Sequence, residues 1–305
     1  MTSSPPITGL VLGSGSARGW GHIGAIRALQ EHSISPRIIC GCSIGALVGA
    51  SLACHRLDEL EHWARHLSTR DIIRLLDFSL HGGGVIQGDR LLESFCLYVN
   101  DVLIEQLDTG YGAIATNLDN GHECWLQNGS LLDAVRASIA LPGLFSPFRY
   151  QDQWLVDGGL VNPLPVSMCR AMGADIVIAI NLNNGLVGNH VRAKGRETRL
   201  ALALQESEFL QKIAAGVAER AKTILPSARS PERIPGIMEV MTGAIDIMQD
   251  RITRSCLITD PPDILVSPRL AHMGLLEFDR AEEGIEEGYQ SVLAAIRQGD
   301  FRSIL

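Results

Sequence analysis

Ile38-Ile-Cys-Gly-Cys-Ser-Ile-Gly-Ala-Leu47 is the stretch that decides how the rest of the chain is read. A short apolar run rich in β-branched residues, a strand over Arg37–Cys40, leads into Gly41-Cys42-Ser43-Ile44-Gly45. That pentapeptide has the form G-x-S-x-G, and Ala46-Leu-Val-Gly-Ala-Ser-Leu-Ala53 after it reads as a tightly packed helix. Strand, sharp turn and helix together form the setting in which this pentapeptide presents a nucleophilic serine. The turn forces the serine into an unfavourable backbone conformation and lifts its hydroxyl above the sheet. Gly41 and Gly45 are needed because side chains there would collide with strand and helix. The helix aims its positive N-terminal end at the serine, where an oxyanion would form. Ser43 is the expected nucleophile; an ordinary tight βα turn is the competing reading.

One strand upstream, Ile7–Leu12 runs into Gly13-Ser14-Gly15-Ser16-Ala17-Arg18-Gly19, and a helix follows with Ile23, Ile26 and Leu29 at helical spacing. A glycine-rich loop between strand and helix presents several backbone N–H groups to one point, which suits a phosphate or the oxyanion of acyl transfer. A phosphate-binding P-loop requires Gly-Lys-Ser/Thr, and this loop has no lysine. A dinucleotide site would want an acidic residue after the second strand, and that strand runs into Ser43 instead. The remaining reading accounts for both features: the loop supplies oxyanion donors and the second strand supplies the nucleophile. Arg18 either adds positive charge near the site or pairs with a local carboxylate.

Composition bounds the rest. The 305 residues are 46% hydrophobic and 20% charged, enough for a sizeable core in one large domain or two smaller ones. A net charge of −8 argues against a general nucleic-acid binder. No apolar run approaches the ~20 residues that cross a bilayer, and Met1-Thr-Ser-Ser-Pro-Pro6 lacks the basic and apolar regions of a secretory signal. Seven cysteines without framework spacing point to a reducing compartment, so the expectation is a soluble, cytoplasmic protein. Cys40 and Cys42 read as small buried fillers. His62 and His66 have i, i+4 spacing, but no glutamate follows His62 and no third ligand is evident, so they read as a solvated helix face. With no calcium loop either, neither a metal nor another cofactor is expected.

Farther along, residues 56–80 are helical in pattern, with Trp63, Leu67, Ile72, Leu75 and Leu76 as core positions. Gly82-Gly83-Gly84 is a turn, and Asp89 caps a helix reaching Val99. Tyr111–Thr116 and Glu123–Gln127 read as strands joined by the hairpin signal Leu118-Asp-Asn-Gly121. Ser130 opens a helix that Pro142-Gly143 stops; Leu144, Phe145 and Phe148 beyond it form an apolar wall beside the site or ordinary core. Trp154-Leu-Val-Asp-Gly-Gly159 is an apolar strand ending in an acid on a Gly-Gly turn. Asp157 is placed there to reach the carboxyl edge of a parallel sheet, or else marks a simple Asp-Gly turn. A helix over 167–172 and a buried strand over 175–182 follow.

Three segments in this order, Gly15-x-x-x-Gly19, Gly41-x-Ser43-x-Gly45 and Asp157-Gly158-Gly159, resemble the patatin-like phospholipase family. The text around them, including Leu12-Gly13-Ser14-Gly15, Ala17-Arg18-Gly19, His22-Ile23-Gly24 and Val156-Asp157-Gly158, is similar to its bacterial RssA-like branch. The resemblance implies an α/β fold: a three-layer αβα sandwich with a mainly parallel central sheet, related to the α/β hydrolases. It implies Ser43 as nucleophile, Asp157 as its partner in a Ser–Asp dyad, and the loop Ser14, Gly15, Ser16, Ala17, Arg18, Gly19 as oxyanion hole. It further implies a lipid acyl-ester substrate, such as a glycerophospholipid or lysophospholipid; contact with a membrane surface is a separate possibility. The family's loop is usually richer in glycine; Ser14 and Ser16 stand in two such places here. If a histidine served as base instead, those after Asp157 are His190 and His272. A free aspartate, with a pKa of about 3.9, is a weak base at neutral pH, so burial is expected to raise that of Asp157.

Residues 186–305 read as a mostly helical extension packed on a core of 7–185 within a single domain. They comprise a polar loop over 185–196, a helical stretch over 200–224, a Pro-rich linker over 225–236, a strand over 262–266 and a last helix over 279–297. Between linker and strand, 237–252 is amphipathic, with Met238, Met241, Ile245 and Met248 either packed on the sheet or presented to lipid or a partner. The alternative to a hydrolase is a regulatory or binding protein that keeps the fold with little turnover.

Overall fold

The computed structural model describes residues 5–75, 94–95, 99–142, 144–186, 237–302 and 304. The expectations for Gly82–Gly84, the Asp89 cap, His190 and residues 200–236 lie outside them.

The apolar runs form one sheet of eight strands: β1 (Thr8–Leu12), β2 (Ile38–Cys42), β3 (Gly110–Asn117), β4 (Glu123–Leu126), β5 (Phe148–Tyr150), β6 (Gln153–Asp157), β7 (Ile176–Ile180) and β8 (Ile264–Val266). β3, β2, β1, β7 and β8 are parallel neighbours in that order, while β4 and β6 pair antiparallel with β3 and β5 pairs antiparallel with β6. β1 and β2 are buried along nearly their whole length, as central parallel strands covered on both faces must be. Successive side chains divide between the faces. Leu10, Leu12 and Ile39 join a core with α1 (Trp20–Glu31), α2 (Ile44–Ala53), α3 (Leu57–His66), α5 (Leu131–Ser138) and α8 (Ala281–Gln298). Val11, Ile38 and Cys40 join a second core with α6 (Val166–Ala171) on the opposite face. The result is a three-layer α/β sandwich. α4 (Thr69–Leu75) and α7 (Ile237–Thr259) complete the described α-helices of six residues or more.

The register of β3 positions the site. It bonds β2 as far as Cys42↔Ile114 and β6 from Ala115↔Asp157 onward. It also bonds β4 along Ala113–Thr116. A strand has two edges, and β4 takes one of them over residues shared with both other partners. β2 and β6 must therefore lie end to end along the other edge. β2 runs parallel to β3 and β6 antiparallel, so their C-terminal ends meet, and the residue after Cys42 faces Asp157.

Several elements differ from the sequence reading. β2 runs two residues farther than Cys40, up to the serine itself. The 56–80 pattern is broken at Leu67–Ser68 into α3 and α4, where the Ser68 hydroxyl bonds the Asp71 carboxylate (2.5 Å) as a local cap. β5 was not expected; its three residues are too few for a periodic signal. β6 is antiparallel, so Asp157 reaches the carboxyl end of β2 head-on and not as a parallel neighbour. The Ser130 cap holds: its hydroxyl accepts from Asp133 N (3.0 Å).

α7 departs most. Its buried residues are Asp246, Gln249, Asp250 and Thr253, whereas Val240, Ile247, Met248 (44%) and Ile258 (84%) are exposed. The helix packs against the side chains of Ser14, Arg18 and Asn183, which bond Gln249, Asp246 and Thr253, and buried polar groups need such partners more than apolar cover. Met241 and Ile245 line a small apolar recess with Leu141, Leu144 and Leu275.

Candidate active site

Ser43 is the single residue between β2 and α2. Its backbone has φ 55 and ψ −124, a conformation L residues rarely adopt and one that costs on the order of 1–3 kcal/mol. Close packing enforces it. A Cβ at Gly41 would come within 2.5 Å of Ala46 N, and one at Gly45 would overlap the Leu12 carbonyl. Hydrogen bonds hold it as well: Ser43 N donates to Ser138 Oγ (2.9 Å), and its carbonyl accepts from Ala46 N (2.9 Å) and Leu47 N (3.3 Å).

Ser43 Oγ donates to Asp157 Oδ2 at 2.6 Å. Asp157 is buried; its Oδ1 accepts from Gly159 N (2.7 Å), its own N–H donates to Ala140 O (2.9 Å) and its carbonyl accepts from Thr116 Oγ1 (2.9 Å). Burial pushes the Asp157 carboxyl up to about 6, against the opposing pull of the Ser43 and Gly159 hydrogen bonds. No arginine or lysine among the described residues pairs with it.

Gly13–Gly19 is not a slack loop. Gly13 N and Ser14 N donate to Ile180 O and Pro163 O (3.1 and 2.9 Å), and Ser16–Gly19 forms a 3-10 turn that feeds α1. Ser16 sits at φ 52, where glycine is usual, and its hydroxyl is turned onto Leu275 O (2.6 Å), which Ala17 N also reaches (3.1 Å). The Gly15, Ser16 and Ile44 N–H groups have no acceptor among the described residues. Arg18 is buried, with its Nε on Gly15 O (3.1 Å) and its guanidinium on Asp246 (2.7 Å). Its partner carboxylate is thus a distant one, on α7, and its charge is neutralised there. Beneath the loop, His22 Nε2 lies 2.7 Å from Gly13 O; burial pushes the imidazole down to about 4, so it is neutral and Nε2 is the donor.

Ser43 and Ser16 open onto a cleft of about 790 Å3, open solvent at its mouth included. Its walls are apolar: Trp63, Leu67 and Ile72 on one side, Leu141, Leu144 and Phe145 on another. The wall-or-core alternative for Leu144 and Phe145 resolves in favour of the wall. Trp63, Leu67 and Ile72 had read as core only; in periodicity, a buried face and a cleft wall look alike.

His272 is exposed and bonds Glu283 (2.6 Å), away from the cleft lining. His62 and His66 are exposed, with rings 4.2 Å apart. Among the described residues no group of three His, Cys, Asp or Glu side chains could hold a metal ion. No described helix is long and apolar enough to cross a membrane. Ser138, Thr116 and Gln249, each in contact with the Ser43–Asp157 pair or its loop, had no signature in sequence, since an isolated Ser, Thr or Gln carries none.

Residues 10–170 match the family model for patatin-like phospholipase. An uncharacterised NTE family protein of Mycobacterium tuberculosis is 36% identical, with 94% of this chain and 90% of that protein covered. The neuropathy target esterase sws of Drosophila melanogaster is 33% identical over 58% of this chain and 13% of its own length. Among solved structures, VipD from Legionella pneumophila aligns with a TM-score of 0.48 and 14% identity over 97% of this chain and 68% of that one. The chain belongs to the patatin-like phospholipase family.

Proposed function

We propose that the protein is a serine acyl hydrolase that cleaves lipid acyl esters through a Ser43–Asp157 dyad and an acyl-enzyme. The observation that carries the reading is the 2.6 Å bond from the strained Ser43 hydroxyl to a buried carboxylate. A serine hydroxyl is a poor nucleophile until a base takes its proton. A carboxylate raised to about 6 is ionised at neutral pH yet basic enough to share that proton in the transition state. Ser43 Oγ attacks the ester carbon as its proton moves to Asp157. The oxyanion forms beside the unpaired amides of the loop and of the α2 terminus, Gly15, Ser16 and Ile44. Asp157 then protonates the departing alcohol, and the same carboxylate takes a proton from the water that releases the acid.

Family membership and the apolar walls support an acyl chain as the group held in the cleft. The chain would enter past Leu141, Leu144 and Leu275, which also line the recess of Met241 and Ile245. That recess adjoins the exposed face of α7, the side that would meet a lipid surface. In this reading 7–185 is the catalytic core, and 186–305 is an extension that supplies α7 as the back of the oxyanion loop. The binding-protein reading gains nothing from Ser14 and Ser16, since both hydroxyls point into hydrogen bonds and leave the Gly15 and Ser16 amides free. A fluorophosphonate probe tests the proposal: labelling at Ser43, abolished in Ser43→Ala, is expected. Folded wild-type protein that takes no label and turns over no ester would end it.

A further inference from the structure

Gln249 lies on the face of α7 that packs against the glycine loop, and 4% of it is exposed. It lines the cleft with Ser16 and Ser43, and carries the only amide side chain among the described lining residues. Its Oε1 accepts from Ser14 Oγ (3.3 Å), and Ser14 Oγ accepts from Asn183 Nδ2 (2.8 Å). Ser14 has one hydroxyl proton, and it is directed at Gln249. The relay therefore sets the amide oxygen toward the loop and the amide nitrogen away from it. That nitrogen has no partner among the described residues and, unlike the fully buried unpaired atoms of His22, Asn162 and Asn183, it is open to the cleft that Gln249 lines. It lies on the carboxylate side of the dyad: a Cβ added at Gly159 would sit 2.6 Å from Gln249 Nε2 and 3.0 Å from Asp157 Oδ1. The unpaired amides of Gly15 and Ser16 serve the loop side. Gln249 Nε2 serves the other.

We propose that Gln249 Nε2 donates a hydrogen bond to the oxygen that leaves and enters beside Asp157. This rests on the acyl-transfer reading above. In acylation that oxygen belongs to the departing alcohol: the acyl C–O bond breaks, its electron pair stays on the alcohol oxygen, and the proton held by Asp157 follows. In deacylation it belongs to water. The water oxygen attacks the acyl carbon, its proton passes to Asp157, the bond to Ser43 breaks, and Ser43 Oγ takes the proton back. Gln249 bonds the oxygen while it carries charge and fixes it within reach of the carboxylate.

The test is Gln249→Met, which keeps length and removes the donor, with active sites counted by fluorophosphonate labelling so that rates refer to competent enzyme. Two esters of one acyl chain are compared, one of p-nitrophenol and one of a simple alkanol. With the nitrophenyl ester the burst of acylation is expected to be nearly unchanged, because its leaving group needs no help, while the steady phase of deacylation slows roughly 10- to 100-fold. With the alkyl ester, acylation itself slows by a similar factor. An equal fall in both phases for both esters would reduce Gln249 to a support for the loop, and unchanged rates would overturn the proposal outright. Should the methionine variant take no label, Gln249→Glu at pH 8 carries the same expectations, since it keeps the acceptor for Ser14 and lacks the donor. Turnover that survives in Ser43→Ala would instead sink the dyad on which the proposal rests.

Discussion

Arg18 and Asp246 are 228 residues apart in sequence and 2.7 Å apart in space, with 1% and 3% of their side chains exposed. A buried pair that loses one member leaves an uncompensated charge, at a cost of about 3–5 kcal/mol. Asp246→Ala is therefore expected to lower the urea midpoint sharply. Arg18→Met combined with Asp246→Leu should recover most of that stability, because no charge is left stranded. It should not recover turnover, because the bond from Arg18 Nε to Gly15 O is gone. Equal stability losses in the single and double variants would contradict this.

The Asp157 carboxyl gives two linked expectations. With Asp157 as the proposed base, turnover needs the ionised form, so kcat/KM should rise with pH along a one-proton limb centred near 6. Stability runs the other way. A carboxyl raised from 3.8 to about 6 favours the folded state when protonated, and that contribution is lost as pH rises through the folded value. Ionised Asp157 thus costs about 3 kcal/mol at pH 8, at 1.36 kcal/mol per unit. Asp157→Asn should be inactive yet unfold at higher urea than wild type at pH 8, with the difference shrinking toward pH 4. Denaturation curves at the two pH values check it.

His22 contributes with the opposite sign. Burial lowers it from 6.5 to about 4, so the folded state resists its protonation. Its contribution is intact above pH 6.5 and is lost as pH falls toward 4. His22→Gln, which can still donate to Gly13 O, should flatten the fall in stability across that window. An unchanged acid limb in the variant would show that other groups drive it.

Ser16 stands at a positive φ in a place that suits glycine. Ser16→Gly relieves strain of about 1 kcal/mol or more and gives up the bond to Leu275 O, worth about as much. The melting temperature should shift little. Gly45→Ala, by contrast, drives a methyl group into the Leu12 carbonyl and is expected to leave little folded protein. Thermal melts of the two variants side by side would show whether the loop or the elbow is the less forgiving.

Ser43 and Asp157 were legible because each sits in a short local pattern with a steric reason behind it: a serine between glycines at a strand end, an acid before Gly-Gly. The direction of β6 was not legible, since an apolar run of five residues looks the same in a parallel and an antiparallel partner. α7 misled for a different reason. Its methionines and isoleucines suggest an apolar face turned inward, but the surface it covers carries the polar side chains of Ser14, Arg18 and Asn183, and Gln249, Asp246 and Thr253 go there instead. Gln249 itself could be found only once Ser14, Asn183 and Gly159 had been brought together around it.

The spacing between Ser43 and Asp157 is gauged by a strand that contributes neither. Cys42 is paired with Ile114 and Asp157 with Ala115, consecutive residues of β3. One residue inserted between them would lengthen that gauge by about 3.3 Å and send the following side chains to the opposite face. The tolerance of this protein to insertions and deletions should therefore be lowest in the middle of β3, at positions an inventory of reacting groups would pass over.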